Sequence, residues 1–380
     1  MYLLDNPIKG YAWGNTSAIP RLLKRSPNGQ PQAELWLGAH PSDPSKCIGE
    51  GQRLDHVIAA NPTAALGRAS VERFGPTLPF LLKVLAAAKP LSLQAHPSLE
   101  QARAGFEREN AQGLALDAPT RNYKDGNHKP ELICAMTPFQ ALCGFRALPE
   151  TLALFRTLGL PIATLERLGL KAYFHEVMTA PIGAQQALAN QAAVGCAKAK
   201  GFDVERSWAL KLSDQYPGDV GIIGALLLNT VTLLPGEALY LPAGNLHAYL
   251  EGVGIELMAS SDNVLRGGLT TKHIDGAELS RVLDFTDGPA RPMLPDNEGV
   301  YRTPADDFEL TRISLRGTGS VTNMRRGADV FLVTSGYVQV SSTKRSVSLS
   351  QGHSLFVGAE EGLITLSGSG ECYRATVGRF

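Results

Sequence analysis

Apolar residues in this chain recur mostly in short runs, either alternating with polar residues or continuous over a strand length. Prolines divide the apolar run at 80–97 into pieces that are too short for helices, and we predict strands there. The segment 127–146 predicts two more strands that are joined at a Thr-Pro turn, and strands are predicted again from about 229 to 257. The pattern therefore predicts a mainly β protein.

Two segments between these strands have helical spacing instead. Ser98 and Gln101 form a predicted capping box at the start of a helix that continues to about residue 110. The longer segment 148–214 is rich in Ala, Leu, Gln and Lys and is broken by a glycine and a proline near residue 160. We interpret these two segments as a helical domain that is inserted into the β sequence.

The segment 235–250, PGEALYLPAGNLHAYL, has the pattern of a cupin barrel. Gly236 predicts a turn before an apolar strand, Pro242 and Gly244 predict a corner, and His247 follows on the next strand. In such a barrel this histidine points into the interior. The sequence thus offers one candidate metal ligand at a defined place in the fold.

Three further residues could complete a metal site with His247. Gln94 and His96 are two positions apart, so on a strand their side chains share one face. Glu131 begins the apolar run ELICAM, where a carboxylate needs a partner. Two imidazoles, a carboxylate and an amide favour zinc acting as a Lewis acid, although iron also accepts two histidines and a carboxylate.

The last hundred residues alternate apolar and polar positions and predict a second β unit. The segment Gly352–Gly358 resembles Gly236–Leu241, but no histidine follows it. We therefore predict a mainly β fold with a helical insert. It would comprise two cupin (jelly-roll) β-barrels, the N-terminal one catalytic and the C-terminal one degenerate, plus an α-helical domain. The predicted bounds are 1–97, 124–147 and 220–280 for the catalytic barrel, 98–123 and 148–219 for the helical domain, and 281–380 for the degenerate barrel.

Composition excludes several classes of protein. The chain has 380 residues and a formal net charge of zero, whereas proteins that bind nucleic acids or membrane surfaces usually carry a basic face. Neither a signal peptide nor a membrane-spanning apolar stretch is recognisable. The five cysteines include no Cys-x-x-Cys pair. We expect a cytoplasmic protein with reduced cysteines, a small-molecule substrate and a monomeric state.

Four separated segments resemble type I mannose-6-phosphate isomerases (phosphomannose isomerases). These are FLLKVLAAAKPLSLQAHPS, NYKDGNHKPELICAMTPFQALCGFR, LYLPAGNLHAYL and GIELMASSDNVLRGGLTTKHID, which occur in the family's order over about residues 1–280. One departure is Leu246, where family members often have proline before the histidine. The resemblance implies an enzyme with one Zn²⁺ that interconverts mannose 6-phosphate and fructose 6-phosphate through a cis-enediol.

The resemblance also implies roles for particular residues. It assigns the zinc ligands to Gln94, His96, Glu131 and His247, and a catalytic arginine to Arg266, which we expect on a polar loop that covers the substrate. Lys129 and Asp262 are candidates for the group that moves a proton. The candidates for binding substrate and its phosphate are Ser92, Lys83 and Lys272.

Three alternatives remain open at this point. A cupin oxygenase could use iron at the same ligands, and it would not need Lys129 or Arg266. A non-catalytic bicupin could bind sugars or act as a scaffold. An isomerase of this fold could also act on a different sugar. Metal content and turnover distinguish these hypotheses.

Overall fold

A computed structural model describes residues 1–317, 320–323 and 327–379. The strands are β1 (Tyr2–Asp5), β2 (Ile8–Lys9), β3 (Glu34–Leu37), β4 (Lys46–Cys47), β5 (Phe80–Ala87), β6 (Leu93–Ala95), β7 (Glu131–Ala135), β8 (Phe139–Phe145), β9 (Leu228–Leu233), β10 (Ala238–Leu241), β11 (His247–Ala259), β12 (Leu265–Gly268), β13 (Val300–Tyr301), β14 (Glu309–Leu315), β15 (Ser320–Asn323), β16 (Asp329–Ser341), β17 (Ser346–Ser350), β18 (Ser354–Val357) and β19 (Ile364–Thr376). The helices are α1 (Ala18–Leu22), α2 (Leu54–Ala60), α3 (Pro62–Leu66), α4 (Arg68–Phe74), α5 (Leu99–Ala111), α6 (Leu148–Leu158), α7 (Ala163–Thr179), α8 (Ile182–Lys198), α9 (Asp203–Gln215), α10 (Gly221–Leu227) and α11 (Gly276–Val282).

Strands β2, β3 and β5 to β12 form the first β system, and the long strand β11 lies at its centre. The beginning of β11 pairs with β6 and β8, whereas from Gly252 onward it pairs with β5 and β7. Gly252 has φ +132°, and a Cβ there would lie 2.7 Å from Cδ2 of Phe139. Glycine is therefore required where β11 passes from one group of neighbours to the other.

The second β system contains β1, β4 and β13 to β19, with β16 and β19 paired over most of their length. The first strand of the chain, β1, pairs with β18 and with β4. The N-terminal residues thus join the sheet that is otherwise built from the C-terminal part of the chain. The domain boundaries given above stay a prediction.

The two β systems share an apolar core. Leu82, Leu132 and Leu257 of the first system are buried in one cluster with Val330 and Tyr373 of the second. These residues have at most 1% of their surface exposed. Burial on this scale is the main source of folding free energy, so the two systems stabilise each other.

The helices of the segment 148–227 pack against the other side of the first β system. Phe155 and Phe174 from these helices share a buried cluster with Leu93 of β6, Ala248 of β11 and Leu265 of β12. The helical segment therefore covers β6 and β11, which carry or directly adjoin three of the four candidate ligands. None of the helices among the described residues is long and apolar enough to cross a membrane.

The fold class predicted from the sequence, mainly β with helical parts, is confirmed. The capping box is present, because Ser98 Oγ accepts from the Gln101 backbone N–H and Gln101 Oε1 accepts from that of Ser98. The predicted polar loop around Arg266 is wrong in part. Arg266 lies on the short strand β12, which pairs with β6, so local polarity misled the prediction where strand pairing decides the structure.

Candidate functional site

The candidate ligands point away from the helices because side chains alternate along a strand. Leu93 and Ala95 of β6 are buried in the core shared with the helices, as is Ala248 of β11. Gln94 and His247 therefore face the opposite side, into the first β system. The two residues are directly paired between β6 and β11, which brings their side chains together.

Two histidine rings are held with one nitrogen free to bind a cation. The Nδ1 atom of His96 lies 2.6 Å from the backbone carbonyl oxygen of Asn263, and that of His247 lies 3.0 Å from the carbonyl oxygen of Asn245. A carbonyl oxygen can only accept, so each Nδ1 carries a proton, and in the neutral form of each ring the lone pair is then on Nε2. Both Nε2 atoms are buried and form no hydrogen bond.

Glu131, the first residue of β7, lies between the two rings. Its Oε1 is 3.4 Å from Nε2 of His96, and its Oε2 is 3.3 Å from Nε2 of His247. Burial is the largest influence on Glu131 and opposes its ionisation, but the charge of Lys129 and the contacts with the two histidines together hold the pKa of the carboxyl well below its usual range. Burial lowers the pKa of His96 to about 4, so a carboxylate and a neutral imidazole face each other at pH 7.

The arrangement fits a metal ion. One ligand atom from each of His96, Glu131 and His247 lies within 4.8 Å of the other two, and the three residues are buried. Unpartnered buried nitrogens cost free energy unless something binds them. The carbonyl partners of the Nδ1 atoms fix the ring orientation, as is usual around zinc. Gln94 offers a fourth ligand from the same face.

A basic group adjoins this cluster. Arg266 is paired in register with Gln94, so the two side chains share one face of the β6–β12 ladder. Burial alone lowers the pKa of Arg266, and burial together with the charge of Arg266 lowers that of Lys272. Two cations without a carboxylate partner in the described part of the chain are suited to bind an anion.

A buried charge network lies behind the cluster on β3, β5 and β11. Lys83 Nζ is 3.0 Å from Oε2 of Glu256 and 3.8 Å from Oε2 of Glu34. Trp36 donates its indole N–H to Glu34 over 2.6 Å. Burial opposes protonation of Lys83, but Glu256, Glu34 and Glu131 together outweigh it and raise the pKa of Lys83, whereas burial raises the pKa of Glu256. The positive charge of Lys83 is thus already balanced by carboxylates of the protein.

Asp262 and Ser92 stand at the margin of the site. The carboxylate of Asp262 is about half exposed, and its Oδ1 lies 3.6 Å from Nε2 of the buried His40. The other nitrogen of this ring, Nδ1, lies 2.8 Å from Oγ of Ser42. Ser92 is half-buried just before β6, two residues from Gln94. Lys129 Nζ, in contrast, lies 3.0 Å from Oε1 of Glu131, so the structure brings Lys129 to the candidate ligands and leaves Asp262 further out.

Comparison with known proteins identifies the family. The model for the type I phosphomannose isomerase catalytic domain matches residues 1–148, and that for the mannose-6-phosphate isomerase cupin domain matches 297–377. The mannose-6-phosphate isomerase of Salmonella typhimurium is 39% identical, over 98% of this chain and 99% of its own. The human one is 34% identical, over 95% and 94%. The chain belongs to the mannose-6-phosphate isomerase family.

Solved structures agree with this assignment. The crystal structure of a mannose 6-phosphate isomerase bound with zinc and yttrium has a TM-score of 0.92 to this chain at 37% identity, and the match covers 100% of both chains. The family resemblance predicted from four sequence segments is thereby confirmed, as is the prediction of an enzyme of this isomerase family.

Sequence reasoning missed several residues of the site in this family member. Glu256 lies in the apolar strand segment GIELMA, which is the same signal that pointed to Glu131. His40 occurs in a turn-like segment, GAHPSDPS, and nothing local marks it as buried. Asn263 is fully buried and accepts from the Lys124 backbone N–H while its own carbonyl oxygen orients His96. The only sequence feature that could have pointed to Asn263 is its position next to the candidate Asp262.

Proposed function

We propose that the chain interconverts mannose 6-phosphate and fructose 6-phosphate with one bound Zn²⁺ ion. The observation that carries the proposal is the pair of buried, unpartnered Nε2 atoms that face the carboxylate of Glu131. The relatives are named mannose-6-phosphate isomerase, and one solved relative is bound with zinc. A single cluster of three such ligands among the described residues supports one ion per chain.

The zinc ligands in this proposal are Gln94, His96, Glu131 and His247. Two imidazoles, a carboxylate and an amide oxygen suit zinc, and they leave room for substrate oxygens. When bound, zinc would supply Lewis acidity that makes the carbon next to the substrate carbonyl more acidic. The neutral His96 and the ionised Glu131 are in the protonation states that a metal ion requires.

We propose that Lys129 and Asp262 move the protons. Isomerisation transfers one proton between C1 and C2 and another between the two oxygens, through a cis-enediol. Lys129 Nζ lies 3.0 Å from Oε1 of Glu131, so it adjoins the proposed metal centre. Asp262 faces His40 at the margin, where the sugar oxygens would enter. Arg266 would stabilise the negative charge that develops on the enediolate.

We propose that the phosphate binds at Arg266 and Lys272 and not at Lys83. Arg266 and Lys272 have no carboxylate partner within the described residues, so each is available to bind an anionic group such as a phosphate. Ser92 can add a hydroxyl on the face of Gln94. Lys83 is already paired with two carboxylates, so we propose that it supports the site by holding Glu256 rather than by binding phosphate directly.

The setting of the enzyme is also a proposal. All five cysteines are unpaired and buried, which is compatible with the reducing cytoplasm. We propose a cytoplasmic enzyme whose partner is its phosphosugar substrate. The monomeric state stays a prediction.

The decisive experiment is a coupled assay for conversion of mannose 6-phosphate to fructose 6-phosphate. Activity is measured as purified, after chelation, and after zinc is added back, with metal content determined in each sample. We expect chelation to abolish turnover and zinc to restore it. A zinc-loaded protein that does not turn over mannose 6-phosphate would contradict the proposal, and oxygen uptake with iron would favour the oxygenase instead.

A further inference from the structure

The segment 265–272, called here the basic arm, carries Arg266 and Lys272 and has an unusual backbone. Its strand β12 ends at Gly268, which has φ +125°, and Leu269 follows with φ +56°. A non-glycine residue in the left-handed region is strained, and such strain persists only where the surroundings impose it. Something outside the basic arm must therefore hold its conformation.

The carboxylate of Asp219 provides that restraint. Its Oδ1 accepts from the backbone N–H of Leu269 over 2.8 Å, and its Oδ2 accepts from that of Thr270 over 3.3 Å. Oδ1 also accepts from the backbone N–H of Gly221 over 2.7 Å. Hydrogen bonds to an ionised acceptor are among the stronger ones in proteins. One side chain thus joins the strained turn to the start of α10.

The two backbones approach each other so closely that no side chain fits between them. A Cβ on Gly268 would lie 2.4 Å from the Cα of Gly221, and a Cβ on Gly221 would lie 2.6 Å from the backbone nitrogen of Leu269. All seven residues of α10 are buried. The basic arm therefore packs closely against a fully buried helix of the helical segment, and Asp219 bonds to both sides of the contact.

We propose that Asp219 is a positioning residue for phosphate recognition: it sets the basic arm so that Arg266 and Lys272 converge on the phosphate of the substrate. This inference rests on the proposed function, because that function assigns the phosphate to these two cations. It gives the helical segment a part in substrate binding, although that segment contributes no proposed ligand to the metal. Asp219 itself does not touch the substrate.

The test compares Asp219→Asn with Asp296→Asn in the zinc-loaded, full-length protein. Asp296 is the matched control, because its Oδ1 also accepts from two backbone N–H groups, those of Glu298 and Val300, in a turn of the second β system. For Asp219→Asn we expect KM for mannose 6-phosphate to rise about tenfold, the factor that corresponds to one lost hydrogen bond to a charged group. The change in kcat should be smaller, and zinc content should stay unchanged.

Binding of inorganic phosphate, measured by calorimetry, gives a readout that does not depend on turnover. We expect Asp219→Asn to weaken it by a similar factor and Asp296→Asn to leave it unchanged. Wild-type protein that binds phosphate but does not isomerise mannose 6-phosphate would refute the proposed function and leave the role of Asp219 measurable. A lowered melting temperature with unchanged KM and unchanged phosphate affinity would overturn the role of Asp219.

A second variant keeps the proposal testable if Asp219→Asn does not fold. Gly221→Ala perturbs the same contact from the side of α10, since its Cβ would press on the basic arm at Leu269. We expect the same selective loss of phosphate affinity. If Gly221→Ala folds, retains zinc and binds phosphate like the wild type, the contact does not position the arm and the proposal fails.

Discussion

The two β systems differ most in what fills their interiors. In the first, Glu131, His247, Lys83 and Glu256 are all at least nine-tenths buried, and they form one polar region. In the second, one part of the interior is a cluster of apolar side chains, and the buried carboxylate of Asp329 forms an ion pair with Arg374 over 2.9 Å. That cluster comprises Met1, Ile313, Leu315, Phe331, Val333, Val338, Val340, Leu349, Leu355, Val357, Ile364, Leu366 and Cys372.

The difference arises on a similar local framework. Gly236 and Gly352 both adopt positive φ, and each precedes a four-residue strand, β10 or β18. At the place that His247 holds relative to Gly236, the second system has Leu363, which is about half exposed. The similar turns and the different residues at this place indicate that such a framework can fold without a histidine there, because an apolar interior is stable without a bound ion.

The largest effect should follow from removing the carboxylate of Glu131, the proposed ligand that lies between both histidine rings. Glu131→Ala leaves two imidazoles without their carboxylate, so zinc content should fall and kcat/KM should drop by about three orders of magnitude or more. A metal ion contributes several kcal/mol to stabilising the transition state, and each 1.36 kcal/mol is tenfold in rate. Turnover and metal content are measured on the same sample.

The matched control for this prediction is the histidine of the second system. His353 contacts Ser350 and is exposed, so His353→Ala should change neither zinc content nor turnover. A Glu131→Ala variant that kept full zinc and near-normal turnover would show that the polar region of the first β system is not the metal centre.

Arg266→Ala should separate catalysis from metal binding. Arg266 is paired beside Gln94 but contributes no proposed ligand, so zinc content should remain at the wild-type level. We expect kcat to fall by about two orders of magnitude, the usual effect of losing one group that stabilises a developing charge. Arg281, which is exposed and paired with Glu278, provides the control Arg281→Ala. Near-normal turnover of Arg266→Ala would remove the residue from the mechanism.

Lys83→Met tests the buried charges of the first β system by their effect on stability. The substitution leaves Glu256 and Glu34 buried without their cation, which should cost about 3 to 5 kcal/mol in the free energy of unfolding. Urea denaturation measures it, with Lys89→Met as an exposed control just beyond the same strand. Adding Glu256→Gln to Lys83→Met should recover part of the loss. A cost below about 1 kcal/mol would show that the network is not tightly coupled.

Much of the first β system was predictable because its residues obey local rules. Strands β5 to β8 followed from apolar runs cut by prolines, and the helix α5 from its capping box. Lys129 and Glu131 are only two residues apart in the sequence, and Nζ of Lys129 lies 3.0 Å from Oε1 of Glu131. The ligand set came from spacing and from the family resemblance, and it remains to be tested by metal analysis.

The features that could not be predicted depend on contacts between distant parts of the chain. Nothing near Tyr2 indicates that β1 pairs with β18, and the polar sequence around Arg266 gives no sign of a strand that pairs with β6. Asp219 looks like an ordinary turn residue until the fold brings Leu269 against it. Sequence patterns report which face a side chain occupies, whereas these contacts are set by tertiary packing.

The smallest effect concerns a buried carboxylate of the second β system, where we expect charge to serve stability alone. Glu361 accepts from Ser342 and Arg345, and although burial opposes ionisation, Arg345 and the other partners lower its pKa from 4.5 to about 2. Its stabilising effect is therefore complete above about pH 4.5 and is lost as the pH falls toward 2. Glu361→Gln should lower the free energy of unfolding at pH 7 by about 2 kcal/mol, flatten its acid dependence between these limits, and leave turnover and zinc content unchanged.

Urea denaturation at pH 7, 4 and 3 measures this, with the exposed Glu360→Gln as control. A loss of turnover in the folded Glu361→Gln protein would mean that charges of the second β system also act at the site, and the contrast between the two systems would fail.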